Sequence, residues 1–283
     1  MITLAAFADE AGQSLSEQID ALKRNNIKLI ELRSIDGKNV LDFSFEEALK
    51  YQEEFKKNGL QVFSIGSPIG KVDIDCDFNL YKEKVIKACR LAKIFETKKI
   101  RIFSFFKAYE KKELVFFYLN EMVKIAKEFE VELYHENEKD IFGDTLIRVK
   151  EIMDNVHGLR FVYDPANYLQ VNQDSNQTIK ELMYKTDYFH IKDVIASTGE
   201  LVPAGYGDGQ ISKIISSIKD DKTLTVEPHL AIFAGYNQID NTELKNKFMF
   251  KNNQEAFDAA VRVLKEILIN NGYKEVEDGF MKE

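Results

Sequence analysis

The chain has 283 residues, 45% of them hydrophobic and 30% charged, which suits one large globular domain and excludes a disordered polypeptide. Its formal charge of −8 argues against a broad nucleic-acid footprint and against anionic membrane surfaces, and no apolar run approaches a membrane-spanning length. Residues 2–8 form the longest early apolar run, but no basic flank precedes it and Asp9 and Glu10 follow at once, so a signal peptide is not expected and the cytoplasm is the default compartment. Cys76 and Cys89, the two cysteines, form no CxxC pair, which excludes thiolate metal sites and disulfide frameworks.

In chain order, short β-rich apolar runs alternate with longer helical patterns. The predicted strands are 2–7, 27–32, 60–65, 100–105, 131–135, 159–163, 188–191 and 223–226. Their mean spacing of about 32 residues is the size of a βα unit. Ser14–Glu17 and Ser44–Glu47 each fit a capping box, opening the first two helices. Asn58-Gly59 closes the second, and Asn271-Gly272 closes a last helix over 253–270. Strict alternation implies parallel strands with crossover helices, and eight units in under 300 residues predict a single-domain (β/α)8 TIM barrel over 1–283. No GxGxxG follows the first strand, which disfavours a dinucleotide-binding sheet.

Connections from helix to strand (25–26, 58–59, 220–222) are short, and those from strand to helix (33–43, 66–77, 194–209, 228–252) are long. Barrel sites are built from the loops that follow the strands, so this asymmetry marks the working face. Four consecutive strands end there in potential ligands: Glu136, Asp164, His190 and Glu227. Ringed around one axis, three carboxylates and an imidazole with no thiolate suit Mn²⁺, Mg²⁺ or Co²⁺, with Zn²⁺ also compatible; the alternative is a set of local salt bridges.

The motifs Ile30-Glu31-Leu32, Glu136-Asn137, Asp164-Pro165-Ala166-Asn167, His190-Ile191-Lys192-Asp193, 205–209 (GYGDG) and Val226-Glu227-Pro228 make the chain resemble the xylose isomerase-like TIM barrels. Within them it looks most like the sugar phosphate isomerase/epimerase group, alongside tagatose epimerases, hydroxypyruvate isomerases and inosose dehydratases, with endonuclease IV more distant. The resemblance implies one divalent metal held by Glu136, Asp164, His190 and Glu227. It also implies proton transfer at the carbon α to a sugar carbonyl through an enediolate, with Glu136 and Glu227 as interchangeable base and acid. Small sugars are the implied substrates, and homo-oligomers are common among such barrels. A dehydratase of the inosose or dehydroshikimate type is the alternative on the same scaffold, followed by a non-catalytic sugar-binding barrel. An endonuclease IV-type phosphodiesterase is disfavoured by only four histidines and by the negative charge.

Many relatives carry histidines where this chain has Glu138 and Asn167, which bears on substrate more than on metal. Asn167, Lys192, Glu31 and His229 are the candidate substrate contacts; a carboxylate partner for Lys192 and a rim salt bridge for Glu31 are the alternatives. His135 is expected to face the helical layer, and His157 a helix C-terminus. Lys71, on the loop after the third strand, is a candidate phosphate contact without any Walker spacing, and 204–209 is either a lid edge or a plain turn. The charged stretch 237–251 either covers the site or meets a second copy.

Overall fold

The computed structural model describes residues 1–231 and 250–283; the stretch 237–251 therefore lies, up to residue 249, outside the described residues. Eight parallel strands close into a barrel: β1 (Ile2–Ala6), β2 (Leu29–Leu32), β3 (Gln61–Gly66), β4 (Lys99–Ile102), β5 (Glu132–Glu136), β6 (Arg160–Tyr163), β7 (Tyr188–Ile191) and β8 (Lys222–Val226). Each strand pairs with its neighbours in chain order, and β8 closes on β1 from Ile2↔Lys222 to Ala6↔Val226. Among the described residues the α-helices are α1 (Leu15–Arg24), α2 (Phe45–Lys57), α3 (Phe78–Ile94), α4 (Lys112–Glu128), α5 (Leu146–Asn155), α6 (Pro165–Gln170), α7 (Ser175–Leu182), α8 (Ile211–Ser217) and α9 (Asn253–Asn270). Among the described residues, no helix is long and apolar enough to cross a membrane.

Both capping boxes form. Ser14 and Ser44 accept from the amides of Glu17 and Glu47, whose carboxylates in turn accept from the two serine amides. The last helix spans Asn253–Asn270 with Asn271 as its C-cap. Among the described residues, three hairpins are additional to the predicted strands. Ser34–Ile35 pairs with Lys38–Asn39, and Asp193–Ile195 with Glu200–Val202, each within a long strand-to-helix loop. The third, Tyr273–Val276 with Gly279–Lys282, attaches antiparallel to β1 at Ile2↔Phe280. It can do so because β2 pairs β1 only from Ala5 onward, which leaves the lower end of β1 with an open edge. Polar hairpins with few apolar positions offer little periodicity, which is why the sequence pattern passes over them.

Side-chain alternation divides the barrel into two layers. Leu133, Phe161, Tyr163, Phe189, Ile191, Leu224 and Val226 point outward into the large core shared with the helices. Tyr134, Val162 and Tyr188 point inward and, with Phe63, plug the lumen. One step higher, the inward positions of the same strands are Glu136, Asp164, His190 and Thr225, followed by Glu227. The apolar plug is thus a floor on which a polar layer stands.

His135 faces outward, as its position beside inward Glu136 requires. Its Nε2 lies 2.9 Å from Ser104 Oγ, and a Cβ on Gly143 would collide with its ring. Burial pushes its pKa down to about 3 from an ordinary 6.5. The unfolded chain therefore takes up a proton below about 6.5 that the folded chain refuses, so stability falls as pH falls through that window. His135→Gln is expected to remove about one proton from this dependence, up to about 1.4 kcal/mol per pH unit in chemical denaturation between pH 4 and 6. An unchanged slope would mean that His135 charges inside the fold.

The loop after β3 is laced to the segment after β4: Phe103 and Phe105 donate backbone hydrogen bonds to Ile69 and Gly70 at 2.8 Å. Gly70 has φ +91°, and a Cβ there would overlap the Phe103 carbonyl; Gly59 has φ +70° with open space around it. Gly59→Ala is expected to cost about 1 kcal/mol from the backbone alone. Gly70→Ala should cost about 3 kcal/mol or more, because overpacking adds to the backbone cost. Urea unfolding of the two variants separates these outcomes; equal losses would refute the packing argument.

Candidate metal centre

Four adjacent strands deliver four buried ligand-type side chains to one point. Glu136 ends β5, Asp164 follows β6 as the N-cap of α6, His190 lies in β7 and Glu227 follows β8. One ligand atom from each lies within 4.8 Å of the others. Around His190 Nδ1, Glu136 Oε1 stands at 2.9 Å and Glu227 Oε2 at 3.0 Å. Such spacings match cis ligands around an octahedral ion bound at about 2.1 Å, which lie about 3 Å apart.

Each of these groups is tethered from behind. Glu136 Oε2 pairs with Arg101 Nη1 at 3.2 Å, and Glu227 Oε1 with Arg33 Nη1 at 3.0 Å. Asp164 Oδ1 accepts from the Asn167 amide at 3.0 Å, which caps α6. His190 Nε2 lies 3.1 Å from Glu31 Oε2. The remaining atom of each group then faces its fellows. Asp164 Oδ2 and Glu227 Oε2 are buried and accept no hydrogen bond among the described residues, although Lys192 Nζ stands 2.9 Å from the first and His190 Nδ1 3.0 Å from the second. Carboxylate oxygens left unbonded in a dry site invite a cation, and the donor set of three carboxylates and one imidazole fits a divalent one.

Electrostatics follow from this crowding. Burial pushes the Asp164 carboxyl up to about 6; Lys192 opposes the rise, and the charges of Glu136 and Glu227 add to it. Burial alone would also raise Glu227, but His190 and Lys192 hold it well below the usual carboxylate range. Desolvation works against a charged His190, yet Glu136, Glu31 and Glu227 overcome it and lift its pKa well above the ordinary histidine value. The imidazole thus sits at the centre of these carboxylates, with Nε2 toward Glu31 and Nδ1 toward Glu136 and Glu227.

The candidate substrate contacts fall at different depths. Asn167 borders the cluster: its Nδ2 donates to the Asn137 carbonyl at 2.8 Å and reaches Glu136 Oε1 at 3.4 Å, while its Oδ1 has no partner among the described residues. Lys192 points the same way as His190 and pairs with Asp164, the carboxylate alternative. His229 has φ +48°, and its Nε2 lies 3.3 Å from Glu10 Oε1 and 3.5 Å from Glu227 Oε1. Glu31 is not at the rim. It lies fully buried beneath His190 and accepts from Tyr188 Oη at 2.8 Å and Thr225 Oγ1 at 2.9 Å, so both carboxylate oxygens are in use inside the barrel. The 205–209 stretch is an ordered turn, with the amides of Gly205, Gly207 and Gly209 wrapped around the Asp193 carboxylate.

Sequence reasoning passed over four residues that hold the site together: Asp9, Glu10, Arg33 and Arg101. Arg33 grips Asp9 through two hydrogen bonds of 2.9 Å and reaches Glu10 at 3.2 Å as well as Glu227. The available signal was positional, since each stands at or just beyond the end of a strand on the working face, where a charged side chain must turn into the mouth.

Comparisons with known proteins agree with this architecture. A family model described as xylose isomerase-like TIM barrel matches residues 19–267. Among solved structures, the chain resembles the probable 3-DHS dehydratase AsbF from Bacillus anthracis (TM-score 0.71, 18% identity, covering 94% of this chain and 99% of that one). An L-ribulose 3-epimerase superposes with a TM-score of 0.72 at 15% identity, covering 96% of each chain. The IOLI protein with a bound zinc atom gives 0.71 at 14% identity, covering 95% of this chain and 99% of that one. No curated protein matches in sequence. With the family model spanning most of the barrel, the chain belongs to the xylose isomerase-like TIM barrel family.

Proposed function

We propose that this protein is a divalent-metal-dependent isomerase or epimerase of a small sugar or related polyhydroxy carbonyl compound. The observation that carries the reading is the buried convergence of Glu136, Asp164, His190 and Glu227 at the ends of β5–β8, with their free atoms turned toward one point. These four residues would hold the metal, and Mn²⁺, Mg²⁺ or Co²⁺ fits the oxygen-rich set, as Zn²⁺ also does. When bound, the ion polarises a substrate carbonyl and makes the adjacent C–H acidic.

The chain's own residues supply the remainder. Glu136 and Glu227 come from strands separated by β6 and β7, so they face a bound carbon from two sides. One removes the α-proton and the other returns a proton, to the opposite face or to the neighbouring carbon. Arg101 and Arg33 fix the outer oxygens of these glutamates, which orients the inner ones. The open Oδ1 of Asn167 suits a substrate hydroxyl, and Lys192 and His229 stand at the same mouth. Glu31 acts from below: by accepting from His190 Nε2–H it leaves Nδ1 as the ligand atom. Dehydration is the second reading, because it shares the α-proton step and Lys192 stands beside Asp164 to accompany a departing hydroxyl. Sugar-acting neighbours, an L-ribulose 3-epimerase and a D-psicose 3-epimerase, support the substrate class.

Protein dialysed against Mn²⁺ is expected to carry about one ion per chain, and Asp164→Ala is expected to lose it; mass spectrometry of metal content decides, and a metal-free wild type would sink the proposal. Glu31→Gln should weaken metal affinity by about 10- to 100-fold in titration calorimetry while leaving the fold intact. On turnover, substrate and product of equal mass indicate isomerisation or epimerisation, whereas loss of water indicates the dehydratase.

A further inference from the structure

Beside the ligand cluster, a cavity of about 350 Å³ opens between the loops that follow β1 to β4, with Arg33, Lys71, Arg101 and Phe103 in its lining. Two ion pairs flank the Phe103 ring there. Lys71 Nζ donates to Glu138 Oε2 at 2.7 Å, and Arg101 Nη1 pairs with Glu136 Oε2 at 3.2 Å. Lys71 Nζ and the Arg101 guanidinium carbon each lie 4.4 Å from the ring centre. The side chains of Lys71 and Glu138 are only 11% and 10% exposed, so water screens their pairing little. Glu138 stands two residues after Glu136 on the loop that follows β5, and its other oxygen accepts from the Lys139 amide at 3.0 Å.

Among the described residues, the other cations drawn into this mouth are spent on carboxylates as well. Lys192 pairs with Asp164, and Arg33 serves Asp9, Glu10 and Glu227 at once. Arg33 thus leaves two carboxylates in surplus, and Glu31, whose partners are Tyr188, Thr225 and His190, adds a third. A divalent ion offsets two of these three, with His190 neutral as its ligand. The mouth is then still short of positive charge when a substrate arrives, and an anionic group would meet like charge in a desolvated space. Lys71 would tip this balance the other way if Glu138 did not supply its carboxylate.

We propose that Glu138 is a specificity-determining residue: by neutralising Lys71 it makes the mouth select uncharged polyhydroxy substrates and turn away sugar phosphates and sugar acids. The proposal rests on the enzymatic reading for what becomes of the substrate, but not for the charge preference itself. Within that reading, it rules against a carboxylate-bearing substrate of the dehydroshikimate type.

D-fructose, D-fructose 6-phosphate and D-gluconate test this, titrated calorimetrically into Mn²⁺-dialysed protein of measured metal content at about pH 8, where ordinary histidines are neutral. The wild type is expected to bind the neutral ketose at least about ten-fold more tightly than either anion. Glu138→Gln keeps the shape and loses the charge; it is expected to gain at least about ten-fold in affinity for one of the anions. Adding Lys71→Gln to that variant is expected to abolish the gain, which a merely structural role of Glu138 would not produce. Glu138→Ala gives the same readout should the glutamine variant fold poorly. An anion bound by the wild type as tightly as the ketose would overturn the proposal. So would a gain that survives Lys71→Gln, or a Glu138 variant with no gain, whichever neutral sugar the wild type prefers. Loss of metal or absence of turnover with this selectivity intact would instead count against the enzymatic reading alone.

Discussion

Everything at the mouth of this barrel depends on how several carboxylates are kept together out of water. Glu31, Glu136, Asp164 and Glu227 are buried within one polar layer, and like charges at such spacing repel strongly where the dielectric is low. The fold answers with cations that approach from outside the cluster: Arg33 behind Glu227, Arg101 behind Glu136 and Lys192 beside Asp164, with the His190 imidazole at the centre. Without that compensation a buried carboxylate favours taking up a proton, and burial already raises the Asp164 carboxyl above its ordinary range.

That arrangement needs a rigid support. Tyr134, Val162, Tyr188 and Phe63 fill the barrel below, and the Tyr188 hydroxyl ties this apolar floor to Glu31 and through it to His190. The hydrogen bonds between Asn137 and Asp164, at 2.9 Å in both directions, lock the ends of β5 and β6 to each other. Orientation is thus fixed by groups that do not touch the central point. In the proposed enzyme, little reorganisation would be left to the moment of reaction.

The arginines that hold the glutamates also line the neighbouring cavity, so Arg33 and Arg101 belong at once to the ligand cluster and to the space beside it.

Local signals in the sequence determined much of this protein: the alternation of strands and helices, both capping boxes, the bounds of the last helix and the working face. Strand-end positions also marked Glu136, Asp164, His190 and Glu227 as candidates, because a period of two and a run of βα units place such residues without any long-range knowledge. What the sequence does not carry is partner choice across the barrel. Glu31 reads as a rim residue in its own strand, and only closure of the sheet puts it under His190, 159 residues away in the chain. Arg33 and Arg101 read as ordinary charges until closure brings them to Glu227 and Glu136. The C-terminal hairpin likewise depends on a short edge of β1 that exists only once β2 has failed to cover it. Local patterns encode which way a side chain points; what it meets there is decided by tertiary closure, since the meeting strands lie far apart in sequence.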